Sequence, residues 1–195
     1  MEPEAKYKEE LIDKLNKINL GWADGDKDNT SDKTADLVNQ SLKIAIEIKD
    51  DTKYKYKEPP LSGEMIEKSL RLDNKSNQLK EDAQGANEKF RNYPNYKTIL
   101  LLRTELAKEP IGVFSYIFSG LQRFIRVGNR HAEISRRNRY LSKSSTTEIG
   151  GYLLFSGVKY FYFKNPNAGK IRSLDQGNVE NIFNEEIEDL QKYIT

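Results

Sequence analysis

Apolar residues recur along this chain in two rhythms. From Glu4 to Ile18 they fall at helical steps: Tyr7, Leu11, Leu15 and Ile18 form one stripe, which Ile12 widens. Pro3 stands where a helix start tolerates a missing N–H. Gly21 and the polar stretch Asp24 to Ser31 predict a turn region after that helix. Thr34 to Asn39 reads as a short strand. Lys43 to Lys49 then changes to strict alternation, the mark of a strand. Ile44, Ile46 and Ile48 share one face, and Lys43, Ala45, Glu47 and Lys49 share the other.

Further along, Asp50 to Lys75 is polar, with Pro59, Pro60 and Gly63, and predicts a loop holding one short helix over Glu64–Leu72. Asn77 to Arg91 reads as a helix. Lys97 to Arg103 is a continuous apolar run and predicts a buried strand. Gly112 to Val127 carries Phe114, Ile117, Phe118, Leu121 and Ile125 at helical spacing and predicts another helix. Tyr152–Phe155 and Val158–Phe163 predict a hairpin turning at Ser156-Gly157. Val179 to Ile194 closes the pattern as an acidic amphipathic helix. The order of elements implies one α/β domain over residues 1–195, with no internal boundary.

At 195 residues the chain is long enough for one domain with its own core. No apolar run approaches the roughly 20 residues that span a bilayer. No charged-then-apolar leader opens the sequence, and no membrane association is expected. Cysteine is absent and His131 is the one histidine. Disulfides, Cys/His zinc sites, thiol catalysis and two-histidine acid–base chemistry within one chain are thereby excluded. A Ser-His triad could use only His131, and hydrolytic chemistry here is expected to rest on carboxylates, lysine and a hard metal ion. A cysteine-free chain fits the cytoplasm.

The near-neutral net charge of +2 is unevenly distributed. Leu121 to Lys143 carries Arg123, Arg126, Arg130, Arg136, Arg137, Arg139 and Lys143 against the single acid Glu133. Asp175 to Thr195 carries Asp175, Glu180, Glu185, Glu186, Glu188 and Asp189 against Lys192. A local basic stretch in a near-neutral protein points to an oriented face for a polyanion.

The alternating strand offers candidate chemistry. Glu47 and Lys49 lie two residues apart on the face opposite the isoleucines, with Cβ atoms roughly 7 Å apart. Asp36 lies in the preceding candidate strand. If the two strands are antiparallel neighbours, Asp36 faces Glu47, and two acids and a lysine share one pocket. Such a pair suits Mg²⁺, which keeps several waters; Mn²⁺ is expected to substitute. The ion would stabilise charge on a phosphate and acidify a bound water. The lysine would orient or deprotonate that water, or neutralise the transition state. Acid-x-Lys triplets also occur at Glu4–Lys6, Asp51–Lys53 and Asp73–Lys75, so a solvated sheet face stays open as the alternative. Glu4 falls on the stripe of the first helix, where it either frays or points into a polar site.

Ala35-Asp36, a ten-residue gap and Glu47-Ile48-Lys49 resemble the core motif of the PD-(D/E)XK nuclease superfamily, with Ala35 in place of the usual proline. Glu4-Ala5, Leu11-Ile12-Asp13, Leu15 and Gly21-Trp22 are similar to the opening of nuclease domains in restriction-enzyme motor subunits. Gln84 and Phe90 stand where those domains place a glutamine and an aromatic after the Glu-x-Lys strand. The resemblance spans about Glu4 to Phe90. It implies an α/β fold with a restriction-endonuclease-like core, that is, a central mixed β-sheet flanked by helices, here with a C-terminal hairpin and helix. Residues 1–105 would be the catalytic core and 106–195 a helical, basic and hairpin extension. It also implies Mg²⁺-dependent DNA hydrolysis, with Asp36, Glu47 and Glu4 as metal ligands and Lys49 and Gln84 as further catalytic residues. No Gly-rich nucleotide loop ending in Lys-Ser/Thr is present, so the motor half of those subunits is missing.

Lys53 and Lys55, interleaved with Tyr54 and Tyr56, are expected to grip phosphates beside the site. Arg126, Arg130, Arg136, Arg137, Arg139 and Lys143 form the denser candidate nucleic-acid surface, of a kind that positions a duplex without reading sequence. Double-strand cutting by one site per chain would favour a homodimer. A non-catalytic nucleic-acid-binding module or subunit that retains the nuclease fold is the alternative.

Overall fold

A computed structural model describes residues 3–27, 34–50, 81–103, 121–123, 133–135 and 146–190. Helix α1 (Pro3–Ile18) is followed by strands β1 (Trp22–Asp24), β2 (Leu37–Asn39) and β3 (Ile44–Asp50). Helix α2 covers 81–90 among the described residues, and strand β4 (Lys97–Arg103) follows. Then come β5 (Leu121–Arg123), β6 (Glu133–Ser135), β7 (Gly151–Phe155), β8 (Tyr160–Lys164), helix α3 (Gln176–Phe183) and β9 (Ile187–Asp189).

Seven strands form one mixed sheet in the order β1-β2-β3-β4-β7-β8-β9, and β5 and β6 pair separately. β3, β4 and β7 run parallel, while β1, β2 and β3 join as successive antiparallel neighbours. The class is therefore α/β with helices against a mixed sheet. The alternation read from Lys43–Lys49 holds: Ile44, Ile46 and Ile48 pack with Ile99, Leu101 and Leu153 against Leu11 and Leu15 of α1 and Val179, Ile182 and Phe183 of α3. On the opposite face Ala45, Leu100, Leu102, Tyr152 and Leu154 meet Ala83, Ala86 and Phe90 of α2. That second face is covered rather than solvated. The small side chains of Ala45, Ala83 and Ala86 leave room for a helix to lie close to the strand.

Four differences from the sequence reading have physical causes. Trp22–Asp24, outside any predicted element, is a strand because its backbone pairs with β2, and Asn16 adds a second ladder by bonding both the N–H and the C=O of Trp22 at 2.9 Å. The strand expected over Thr34–Asn39 is shorter, since Asp36 bends out of the ladder. Leu121–Arg123, read as part of a helix, pairs antiparallel with Glu133–Ser135, a partner that apolar spacing does not reveal. The closing helix does not run from Val179 to Ile194: it stops at Asn184, which takes a left-handed backbone at φ 49° and donates its N–H to the Glu180 carbonyl. Ile187–Asp189 then joins β8 as a parallel strand. The predicted hairpin is present, with Gly157 at φ 90° in its turn.

One side chain ties the sheet to the segment after α2. Arg172 is buried and bonds the Tyr93 carbonyl, the Tyr96 carbonyl at 3.4 Å and the Glu148 carboxylate. Among the described residues no helix is long and apolar enough to cross a membrane.

Candidate functional site

The pairing of β2 with β3 brings the acids together. Leu37 stands opposite Ile46, and the same register carried one residue further sets Asp36 opposite Glu47. There the β2 backbone leaves the ladder, and the Asp36 side chain replaces it: Oδ2 accepts the Ile48 N–H at 2.7 Å. Two neighbours fix this bend. The Ala35 N–H donates to the Tyr93 hydroxyl at 3.2 Å. Gly25 donates its N–H to the Asp36 carbonyl at 3.1 Å, and a Cβ on Gly25 would overlap the Ala35 carbonyl oxygen. Only glycine permits that approach.

Glu47 is fully buried on the face beneath α2. Lys49 Nζ lies 2.9 Å and Lys89 Nζ 2.8 Å from its Oε1. Oε2 is buried without a hydrogen-bond partner among the described residues. Burial pushes the Glu47 carboxyl above the ordinary range and the charge of Asp36 adds to it; Lys49 and Lys89 oppose the shift without cancelling it. For Lys49, burial works against the charge, but Glu47 and then Asp36 outweigh it and the ammonium holds its proton more tightly than usual. Lys49 thus enters the site as a cation.

A second ion cluster borders the first. Lys8 of α1 places Nζ 2.6 Å from Asp24 Oδ1, 2.6 Å from Asp26 Oδ2 and 3.5 Å from Asp36 Oδ1. Asp26 also accepts the Thr34 hydroxyl at 2.8 Å. Burial opposes the charge of Lys8, but the bonds to Asp24 and Asp26 and the charge of Asp36 prevail and raise its pKa. Its stabilising contribution is thus complete below the ordinary lysine value and is lost only as pH climbs past the raised one. Lys8→Met removes the ammonium that Asp24, Asp26 and Asp36 share. We expect it to cost about 2 kcal/mol, read from urea unfolding at neutral pH, and to loosen Asp36 as well.

The expected residues are placed unevenly. Glu47 and Lys49 are in contact at 2.9 Å, and Asp36 lies near enough for its charge to act on both. Glu4 lies in α1, one turn before Lys8, and its side chain lies outside the described residues. Gln84 is on α2 but exposed, whereas Ala83, Ala86, Asn87 and Phe90 form the face of that helix against the sheet. Lys53, Lys55, Arg126, Arg130, Arg136, Arg137, Arg139 and Lys143 lie outside the described residues. Sequence reasoning missed Lys8, Lys89, Asp24, Asp26 and Tyr93. Lys89 had a faint signal, three residues after the inward-facing Ala86; the others are brought in by strand pairing and loop paths that no local spacing encodes.

The donor set fits a hard divalent cation. A buried Glu47 oxygen lacks a hydrogen-bond partner, the Asp36 carboxylate is near enough for its charge to act on Glu47, and the donors are oxygens alone. Asp36 and Glu47 would hold the ion, with water filling the remaining positions. Among the described residues no group of three acidic or histidine side chains is set to cage an ion; Asp24 and Asp26 are engaged by the Lys8 ammonium at 2.6 Å, whereas Asp36 stands 3.5 Å from it. Comparison of the chain with family models, curated proteins and solved structures gives no match.

Proposed function

We propose that this protein is a metal-dependent nuclease of the PD-(D/E)XK type that hydrolyses phosphodiester bonds, DNA being the favoured substrate. The reading rests on one observation above all: Glu47 is buried with an unpartnered oxygen, opposite Asp36 and beside a charged Lys49. Keeping a carboxylate in such a place costs stability, and perturbed, buried acids of this kind gather at functional sites. Metal bound by Asp36 and Glu47 would supply Lewis-acid stabilisation and a more acidic water. Lys49, held as an ammonium, orients the attacking water or neutralises charge gathering on the phosphate; deprotonating the water falls to another group. Glu4 remains a candidate to support a metal water, and Gln84 can act only from the outer side of α2. The arginines from Arg126 to Arg139, with Lys143, Lys53 and Lys55, are proposed to hold the phosphate backbone. A homodimer acting on both strands and a cytoplasmic setting complete the proposal.

Incubation with labelled duplex, junction, single-stranded and RNA substrates, in Mg²⁺ or Mn²⁺ and in EDTA, tests it. Cleavage with either metal and none with EDTA is the expected result. Binding without cleavage in every metal supports the non-catalytic module instead.

A further inference from the structure

The two ammonium groups on Glu47 have unequal origins. Lys49 belongs to the same strand as Glu47, whereas Lys89 reaches the same oxygen from α2. Glu47 thus holds two ammonium groups on one oxygen, one more than its own charge balances. The other acids of the site are held elsewhere: Asp24 and Asp26 are bonded to Lys8, and Asp36 to Lys8 and the Ile48 N–H. The Lys89 side chain keeps 24% of its surface open to solvent, so it has a path outward. A divalent cation on Glu47 would take the charge that Lys89 now faces and release its ammonium next to the metal.

We infer that Lys89 is a phosphate-binding residue of this site, donating to a non-bridging oxygen of the nucleic-acid phosphate once metal occupies Glu47. This rests on the nuclease reading above. A lysine on a flexible stem suits the role, since it acts as a point charge that need not match a planar acceptor. The two lysines thus have separate roles, Lys49 serving the water and Lys89 the phosphate.

The test is the salt dependence of duplex binding, measured by anisotropy on a fluorescein-labelled mixed-sequence DNA duplex in Ca²⁺ across a KCl series. Losing one phosphate contact lowers the slope of log K against log[salt] by about 1. Lys89→Met is expected to show that drop, and Lys89→Arg to restore the wild-type slope. With Mg²⁺, Lys89→Met should raise KM more than it lowers kcat, the reverse of Lys49→Ala. An unchanged slope in folded Lys89→Met overturns the assignment and leaves Lys89 a structural clamp on Glu47. If that variant does not fold, Lys89→Gln reads the same slope difference with a neutral side chain that can still donate to Glu47, and an unchanged slope there overturns it likewise. A wild-type protein that cuts while these slopes agree sinks the role of Lys89 alone; one that neither binds nor cuts any substrate sinks the nuclease reading with it.

Discussion

Lys49→Ala is expected to give a folded protein that still binds duplex DNA and cuts it at least about 10³-fold more slowly, the size of effect seen when a preorganised charge is removed from a reacting centre. Folding should survive for a local reason. Lys89 remains 2.8 Å from Glu47 Oε1, so the buried acid keeps a counter-ion when Lys49 is lost. The Lys49 side chain is 30% exposed, and truncating it opens a gap that water can fill. Binding should survive because the proposed phosphate contacts lie on cations other than Lys49. What disappears is the one ammonium on the same strand and face as Glu47. Single-turnover cleavage in Mg²⁺, paired with duplex binding in Ca²⁺, checks both halves. Cutting at the wild-type rate would remove Lys49 from the catalytic machinery.

Glu47→Gln should abolish metal-dependent cleavage, again by about 10³-fold or more, and yet make the protein more stable. Burial and Asp36 hold the Glu47 carboxyl above its ordinary value of 4.5, so the folded chain binds that proton more tightly than the unfolded chain does. Stability contributed at this position is therefore highest at low pH. It falls as pH rises from 4.5 through the raised folded value, and the deficit persists at neutral pH. Glutamine has the same shape and nothing to ionise. The two lysines lose a partner, but at 30% and 24% side-chain exposure they regain hydration that the fully buried carboxylate cannot. Stabilisation of about 1 kcal/mol is expected at neutral pH, with the pH slope of the wild type flattened. Urea midpoints over an acid-to-neutral series provide the comparison. A destabilised variant with its slope intact would mean that the lysines need Glu47 more than Glu47 costs the fold. Activity and stability opposing each other at one residue is the signature of a site kept for function.

Part of the candidate site was legible in the sequence. Alternation along Lys43–Lys49 fixed which residues share a face with Glu47, because side chains on a strand alternate whatever surrounds them. Opposition of Asp36 and Glu47 was expected from an antiparallel neighbour; the observed pairing is antiparallel but ends at Leu37 opposite Ile46, and Asp36, just beyond it, bonds the Ile48 N–H. Less legible was whether the polar face was wet. A strand with isoleucines on one side and Glu and Lys on the other reads as half-exposed. Here α2 covers that side through Ala83, Ala86 and Phe90, and the same covering turns Glu47 from a surface acid into a buried one. The charge balance was invisible as well. Lys8 and Lys89 reach the acids from two helices, and neither belongs to the motif that pointed to the site.

Sequence alone determined the local periods: the stripe of α1, the two faces of β3, the buried run of β4, the hairpin at Ser156-Gly157, and the absence of cysteine that left carboxylate and lysine chemistry. These are consequences of short-range geometry, repeated every turn or every second residue. The tertiary structure decided the partners. It made strands of Trp22–Asp24, Leu121–Arg123 and Ile187–Asp189, whose pairing is a contact between distant segments. It also surrounded Glu47 with Asp36 from the bend before β2, Lys49 from its own strand and Lys89 from α2. Such long-range pairings are set by what the whole sheet can bury and neutralise at once, and no window of the sequence contains that sum.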